Sequence, residues 1–289
     1  MRRLELANGV LFSLTDAEPP PAAWSYSFPE ARLADHAPVV AKWLPDKLFH
    51  TRFTSFAFQR HGRIIVVDAG IGAGSSDYFD GLSGRLPDEM AEAGLDVAAV
   101  EHVIFTHFHL DHVGWATNRD GKAFFPNARY HAPKAELAHW LEKGDTSALP
   151  HHVKAFNAHI APLLESRRLD AEDAGAVIAS IDAMEVTYRA VPGHTAGHCA
   201  VVIAGGGETI VIAGDAWHSP AQIAVPEWCH RADRDPDLAR RSREALADWA
   251  CAHRALVAAG HFGEEICFGR VEADDTGSRT FAPLARTSG

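Results

Sequence analysis

Five short apolar segments of this chain each run out, at their C-terminal end, into a side chain that can ligate or orient a metal ion. "IIVV" (64–67) is followed by Asp68, "VIFT" (103–106) by His107 and "YRAVPG" (188–193) by His194. "IVIAG" (210–214) leads to Asp215 and "LVAAG" (256–260) to His261. Runs rich in Val and Ile read as strands. In layered α/β proteins the loops at strand ends make the functional rim. A chain with this recurrence is constrained to a fold that gathers several strand ends at one edge.

The intervening segments fit that constraint. "FTSFAFQ" (53–59) and "RIIVVDAG" (63–70) flank "RHG" as a hairpin, and 100–107, 185–191, 199–204, 209–215 and 255–262 read as further strands. Residues 86–95, 132–143 and 235–254 have helical patterning, the last with Asp235 as N-cap and Pro236 in the first turn. Strands and helices mix in two comparable halves, which predicts one layered α/β domain over 1–289. Residues 1–50 read as irregular, with "AEPPPAAW" (17–24) a loop. Residues 144–175 read as helices and loops over the site. Both stretches are expected to shape a pocket, the first alternatively serving a homodimer contact.

Within "HFHLDH" (107–112) alternate residues of an extended chain face one way. His107, His109 and Asp111 therefore share a side, and a turn would bring His112 round to it. Imidazole and carboxylate suit zinc and similar divalent ions. One tetrahedral ion cannot use these four together with His194, Asp215 and His261. Seven ligands suit two ions that share a carboxylate.

"THFHLDH", "PGHTAGH", "IAGDAWH" and "AAGHF" resemble, in order and separation, the metal motifs of the metallo-β-lactamase-fold hydrolases, over about residues 50–265. "DAGIG", "FPNAR", "VPGHTAGH" and "AVPEW" are most similar to the lactonase-like and organophosphate-hydrolase-like branch. The resemblance implies a four-layer αββα sandwich, with two mixed sheets face to face and helices outside. It implies that His107, His109 and His194 hold one ion, that Asp111, His112 and His261 hold a second, and that Asp215 bridges them. Asp68 would support a ligating histidine from behind. Zinc comes first, with manganese, cobalt or iron(II) suited to the same donors. Two such ions about 3.5–4 Å apart would share a hydroxide that attacks the substrate, with Asp111 passing a proton to the leaving group.

Other residues carry two readings. His198 is expected at a strand start as a hydrogen-bonding residue. His218, three positions after Asp215, is either a substrate contact or a satisfied loop residue. Trp115 and Trp217 either wall the pocket or belong to the core. His230 reads as surface, His151 and His152 as histidines without a companion pattern, and "RADRDPDLARRSRE" as a solvated charge run.

The expected activity is a dinuclear-metal hydrolase opening small uncharged esters, lactones above all. Phosphotriester, arylester or thioester hydrolysis on the same site is the alternative, and a mono-iron sulfur dioxygenase a more distant one. Strict β-lactamase activity is disfavoured because no basic residue is evidently placed to hold a carboxylate near His261. None of Tyr26, Tyr78, Tyr130 and Tyr188 sits in a metal-adjacent motif, which speaks against the homoserine-lactone subclass, where a tyrosine often stands by the metals. A net charge of −11 argues against a protein that grips nucleic-acid phosphates. Glu5 and Asn8 interrupt any signal-peptide core, no apolar run is long enough to span a bilayer, and the four cysteines form no metal or disulfide spacing. A cytoplasmic protein with a small-molecule substrate, and neither nucleic-acid nor membrane partner, is expected.

Overall fold

Val and Ile in consecutive positions, as at Ile64–Val67, suit a strand that is covered on both faces. A computed structural model describing residues 1–74, 78, 79, 81–143 and 149–285 places that strand at the centre of a sheet. Along the chain come β1 (Arg2–Leu6), β2 (Gly9–Ala17), the short β3 (Ala22–Ala23) and β4 (Leu48–Phe49), β5 (Phe53–Arg60), β6 (Arg63–Val67), β7 (Val100–Ile104), β8 (Arg129–Pro133) and β9 (Leu169–Glu172). The second half contributes β10 (Val177–Ile181), β11 (Met184–Ala190), β12 (Cys199–Gly205), β13 (Glu208–Ile212), β14 (Leu256–Ala258), β15 (Phe268–Ala273) and β16 (Arg279–Pro283).

Among the described residues the first sheet runs β1-β2-β5-β6-β7-β8-β9, antiparallel as far as β6 and parallel from β6 to β9. The second runs from β10 to β16 in chain order, with β13 and β14 as its parallel pair. The hairpin between β5 and β6 turns through His61 and Gly62, at φ 51° and 79°. Two successive left-handed residues are what a tight two-residue hairpin requires.

Strand parity sorts the core into layers. Ile65 and Val67, with Phe56 and Phe58, face Val201, Ile203 and Phe268 of the other sheet. Ile64 and Val66 face outward, with Phe105 and Leu137, beneath helices that include Leu86–Glu92 and Lys134–Lys143. Val202, Val211 and Val257 form the outer face of the second sheet, under the helix Pro236–Ala252. The result is the αββα sandwich that the motifs imply. Because β6, β7, β11, β13 and β14 end at the same side, the five strand-end residues meet there.

Residues 1–50 depart from the irregular reading. Most of 2–17 is strand in the first sheet, while Trp24, Phe28, Leu44 and Phe49 form a small apolar cap with Val225 and Trp228. The alternation in "RRLEL" is that of an outer strand exposed on one face, and its charges mask it. Buried Arg2 donates from Nη1 to the Glu265 carbonyl at 2.9 Å and from Nη2 to the Leu284 carbonyl at 2.6 Å, which ties the first strand to the C-terminal segment. Within 144–175, residues 144–148 lie outside the described set, 150–165 are helical, and 169–172 form the edge strand β9. The expected strand 255–262 is shorter, Leu256–Ala258, and frees the loop that carries His261. Among the described residues no helix is long and apolar enough to cross a membrane.

Phe56 packs between the sheets, 5.9 Å from Phe268 between ring centroids. Phe56→Ala is expected to cost about 3–5 kcal/mol of stability, seen as a lower urea midpoint with an unchanged slope. A cost below about 1 kcal/mol would contradict this packing.

Candidate metal centre

Asp68 follows β6 with φ 60°, a left-handed conformation that turns its carboxylate back towards β7. It accepts from the Thr106 amide and hydroxyl, both at 2.8 Å, and pairs with His112 Nδ1 at 2.8 Å. The last contact aims His112 Nε2 into the edge cavity. The extended chain lasts only to His109. From there Leu110–Val113 is one turn of helix, and this turn, rather than continued strand parity, presents Asp111 and His112.

The second sheet supplies the opposing half. Asp215 follows β13 through Gly214, whose φ is 54°; a Cβ there would lie 2.5 Å from His198 Nε2. That close approach lets His198 Nε2 accept the Asp215 amide at 2.9 Å, while its Nδ1 donates to the Val191 carbonyl at 3.1 Å. His198 thus positions the carboxylate through its backbone, in line with its strand-start reading. Burial, and then the neighbouring His194, lower its pKa to about 3, so the ring stays neutral. His261 is oriented by the Arg52 carbonyl and the Thr51 hydroxyl, which meet Nδ1 at 2.8 and 3.1 Å.

All of this converges on Asp215. Nε2 of His261 and of His112 lie 3.0 and 3.1 Å from its Oδ1. Nε2 of His194 and of His218 lie 3.1 and 3.3 Å from Oδ2, with His107 Nε2 at 3.8 Å. Among the donor groups here, each within 4.8 Å of one another, are His107, His109, His194 and Asp215, and Asp111, His112 and His261; His218 joins Asp215 and His261 in a further one, and His194 and Asp233 in another. The seven residues singled out by spacing lie in one place.

Burial and the Asp215 carboxylate divide the imidazoles into two kinds. Burial, joined by the charges of neighbouring histidines, holds the His107 and His109 pKa well below the usual value, leaving neutral rings, with His109 Nδ1 2.9 Å from His194 Nε2. Burial also disfavours the charged forms of His112, His194 and His261, but Asp215 outweighs it. The His112 pKa lies well above normal, that of His194 is raised to about 9, and that of His261 is raised. Burial would raise the pKa of Asp215, yet His261, His112 and His194 hold it well below the carboxylate range. His107 Nε2 and His112 Nε2 are buried without a hydrogen-bond partner. Unpartnered imidazole nitrogens around a carboxylate are the donor set that zinc-like ions take, so the residues fit such ions.

Three buried carboxylates brace the cluster and escaped the sequence reading. Asp233 pairs with His194 Nδ1 at 3.0 Å and accepts from Arg243 at 2.6 Å. The supposedly solvated run therefore hides a buried ion pair, because Arg243 points inward from the helix Pro236–Ala252 and is 1% exposed. Glu136, 0% exposed, accepts from the Trp140 indole at 3.0 Å, the Thr195 hydroxyl at 2.7 Å, and the Gly197 and Phe108 amides at 3.0 and 3.4 Å. It clamps the segment of His107 and His109 to the loop of His194. Asp16 accepts from the Ile71 and Leu86 amides and from the Trp115 indole at 2.6, 2.7 and 2.8 Å.

Trp115 is thereby a brace rather than a pocket wall, and Trp217 is fully buried in the outer core of the second sheet. Neither lines the cavity over the cluster, which has a volume of about 400 Å³. His218 does line it. So does His230, which was expected at the surface: its ring stacks on His218 at 4.0 Å, and His218 stacks on His261 at 4.9 Å. His152 stacks on His109 at 3.9 Å, and His151 on Tyr78 at 3.7 Å, so these two histidines also belong to the walls. Pro19, Pro20, Phe49, Phe53 and Leu149 make the apolar part. Tyr26 and Tyr78 stand at the mouth, and the Arg231 guanidinium lies 4.1 Å over the Tyr26 ring, a lining cation that the sequence did not reveal.

Comparison with known proteins bears on the family and the fold. A family model described as the metallo-beta-lactamase superfamily matches residues 54–252. A probable metallo-hydrolase of Mycobacterium tuberculosis is 26% identical over 143 residues, 45% of this chain and 41% of that protein, so the match spans less than half of that relative. Among solved structures, the hydrolase AbOPH of the beta lactamase superfamily superposes with a TM-score of 0.82 at 22% identity, covering 99% of this chain and 98% of that one. AidC, a dizinc quorum-quenching lactonase, gives 0.80 at 21% identity over 99% and 98% of the two chains. Both show the same fold. With the family model spanning most of both sheets, the chain belongs to the metallo-β-lactamase superfamily.

Proposed function

We propose that this chain is a metal-dependent hydrolase of small uncharged esters, with lactones as its first substrate class. The observation that carries the reading is the convergence of four imidazole Nε2 atoms within 3.0–3.3 Å of the Asp215 carboxylate, beneath a cavity of about 400 Å³. The likeness in fold to AidC, described as a dizinc lactonase, supports it. The completeness of the second donor group, Asp111, His112 and His261, favours two ions over the single iron of a dioxygenase.

His107, His109 and His194 would hold one ion, Asp111, His112 and His261 the other, with an Asp215 oxygen facing each group. Bound there, divalent ions polarise a carbonyl and acidify water. The chain's own groups do the rest. Asp111, whose side chain is 11% exposed against 4% for Asp215, lines the cavity floor. Its carboxylate, with Oδ2 turned towards His112 and His261, would accept a proton and return it to the leaving oxygen. The stacked rings of His218 and His230 form one wall, and Phe49, Phe53 and Leu149 exclude water from the apolar arm of an ester. A cavity of this size takes a small ligand and leaves little room for a polymer.

Metal-loaded protein is expected to hydrolyse lactones ahead of aryl esters, phosphotriesters and thioesters, with His109→Ala inactive as a control. Asp111→Asn should lower kcat by about 10²–10⁴-fold. Metal analysis should find about two equivalents per chain that Asp215→Ala no longer holds. Absence of bound metal, with no change in thermal stability on chelation, would sink the reading.

Asp233 orients His194, and such partners typically govern metal affinity by about 10–100-fold. Asp233→Asn should show that loss together with about 3–5 kcal/mol of destabilisation, since Arg243 is left buried and unpaired. Adding Arg243→Met should restore stability but not metal affinity. Recovery of both would assign Asp233 a purely structural role.

Metal uptake must also displace protons. With its pKa raised to about 9, His194 stays protonated through neutral pH in the metal-free chain, so affinity should climb from pH 6 to pH 9. Chelator competition at several pH values, with proton release read in buffers of different ionisation heat, checks the sign. A flat profile would contradict it.

A further inference from the structure

A second set of donors stands at the far edge of the first sheet, apart from the cluster around Asp215. β8 and β9 run parallel with His131 level with Asp170, and Glu172 lies two residues further along on the same face. One donor atom from each of the three lies within 4.8 Å of the others. His131 is 4% exposed, and its Nδ1 is buried with no hydrogen-bond partner. The nearest acid is Glu172, whose Oε1 stands 3.8 Å from that nitrogen.

We propose that His131, Asp170 and Glu172 form a further cation site, one that takes a borderline divalent ion of the zinc type through one imidazole nitrogen and two carboxylate oxygens. The surrounding groups are arranged as ligand supports. His131 Nε2 is engaged by His102 Nδ1 of β7 at 2.9 Å, which fixes the ring and turns Nδ1 towards the acids, as an outer partner of a ligating histidine does. Arg129 holds Asp170 through Oδ2 alone, leaving Oδ1 available. Burial, and then the charge of His102, lower the His131 pKa to about 4, so the ring meets the two carboxylates as a neutral donor rather than as their counter-charge. Arg129 offsets Asp170, which leaves the Glu172 carboxylate as an excess negative charge beside the neutral ring.

Donors of a tetrahedral zinc site, each about 2.0–2.2 Å from the ion, stand about 3.3–3.6 Å apart. The 3.8 Å between His131 Nδ1 and Glu172 Oε1 is close to that spacing, and side-chain rotation of up to about an ångström brings in Asp170, whose donor lies within 4.8 Å of both. Bound there, the ion would fasten β9, the outermost strand of its sheet, to β8. The rival account is a hydrogen bond between His131 and Glu172, made by a small rotation and needing no ion.

The test is metal counting on the full chain, loaded with Zn²⁺ and dialysed against micromolar Zn²⁺. Glu172 is partly exposed, so Glu172→Gln should leave the fold and ester hydrolysis intact. It should hold one equivalent fewer than the unaltered chain, as should Asp170→Asn. Asp215→Asn should lose equivalents from the other cluster and still gain thermal stability on Zn²⁺ addition, whereas Asp215→Asn combined with Glu172→Gln should not. Equal metal content in Glu172→Gln and the unaltered chain overturns the site, as does a drop in its melting temperature that is independent of zinc, the signature of the hydrogen bond alone.

Discussion

Asp215 carries a charge into a place almost without water. Its side chain is 4% exposed, and an uncompensated carboxylate in such a position costs several kcal/mol. The surrounding architecture answers that cost. Three imidazoles whose pKa it raises, at His112, His194 and His261, come from three different loops. The backbone of Asp215 is itself held by His198. Moving any one of these loops would expose the same charge to a poorer environment, so their positions are coupled through a single group.

The coupling extends outward through acceptors rather than through packing alone. Asp68, Glu136 and Asp233 each join a loop bearing an imidazole to an element that is rigid for other reasons: β7, the helix Lys134–Lys143 and the helix Pro236–Ala252. Glu136 illustrates the logic. Its two oxygens face four donors and no acceptor, so the clamp requires a carboxylate and has no place for an amide hydrogen. The halves of the cluster belong to different sheets, which makes the apolar layer between the sheets the element that keeps the donors in mutual register.

What could be read in advance was whatever depends on local pattern. Runs such as Ile64–Val67 and Ile210–Ile212 are buried on both faces and announce themselves, and the histidines and aspartates at their ends lie in compact motifs. Residues whose role depends on a distant partner were silent. Glu136 looks like an ordinary surface acid of an amphipathic helix until Gly197 and Phe108 arrive beside it. Asp233 and Arg243 sit in a charge-rich stretch whose average hides two inward-pointing members. Trp115 and Trp217 adjoin cluster residues in sequence, yet each follows a helical turn in which strand parity no longer holds, and their indoles go to Asp16 and to the outer core of the second sheet. His230 and His152 carry no spacing signal; ring stacking from other loops recruits them.

The contact between Arg2 and the Leu284 carbonyl closes over 282 positions of sequence, and it bears on how the molecule is made. Contacts so far apart form late. During synthesis the first strand emerges long before the segment that will cover its arginine, and it waits as an exposed ribbon edge in a crowded medium. Its composition suits the wait. Arg2, Arg3 and Glu5 in "RRLEL" give a nascent strand enough charge to discourage pairing with neighbouring chains. Residues that look like noise against strand formation thus act as guardians of an unfinished sheet, and one of them is then withdrawn from water when the sandwich closes.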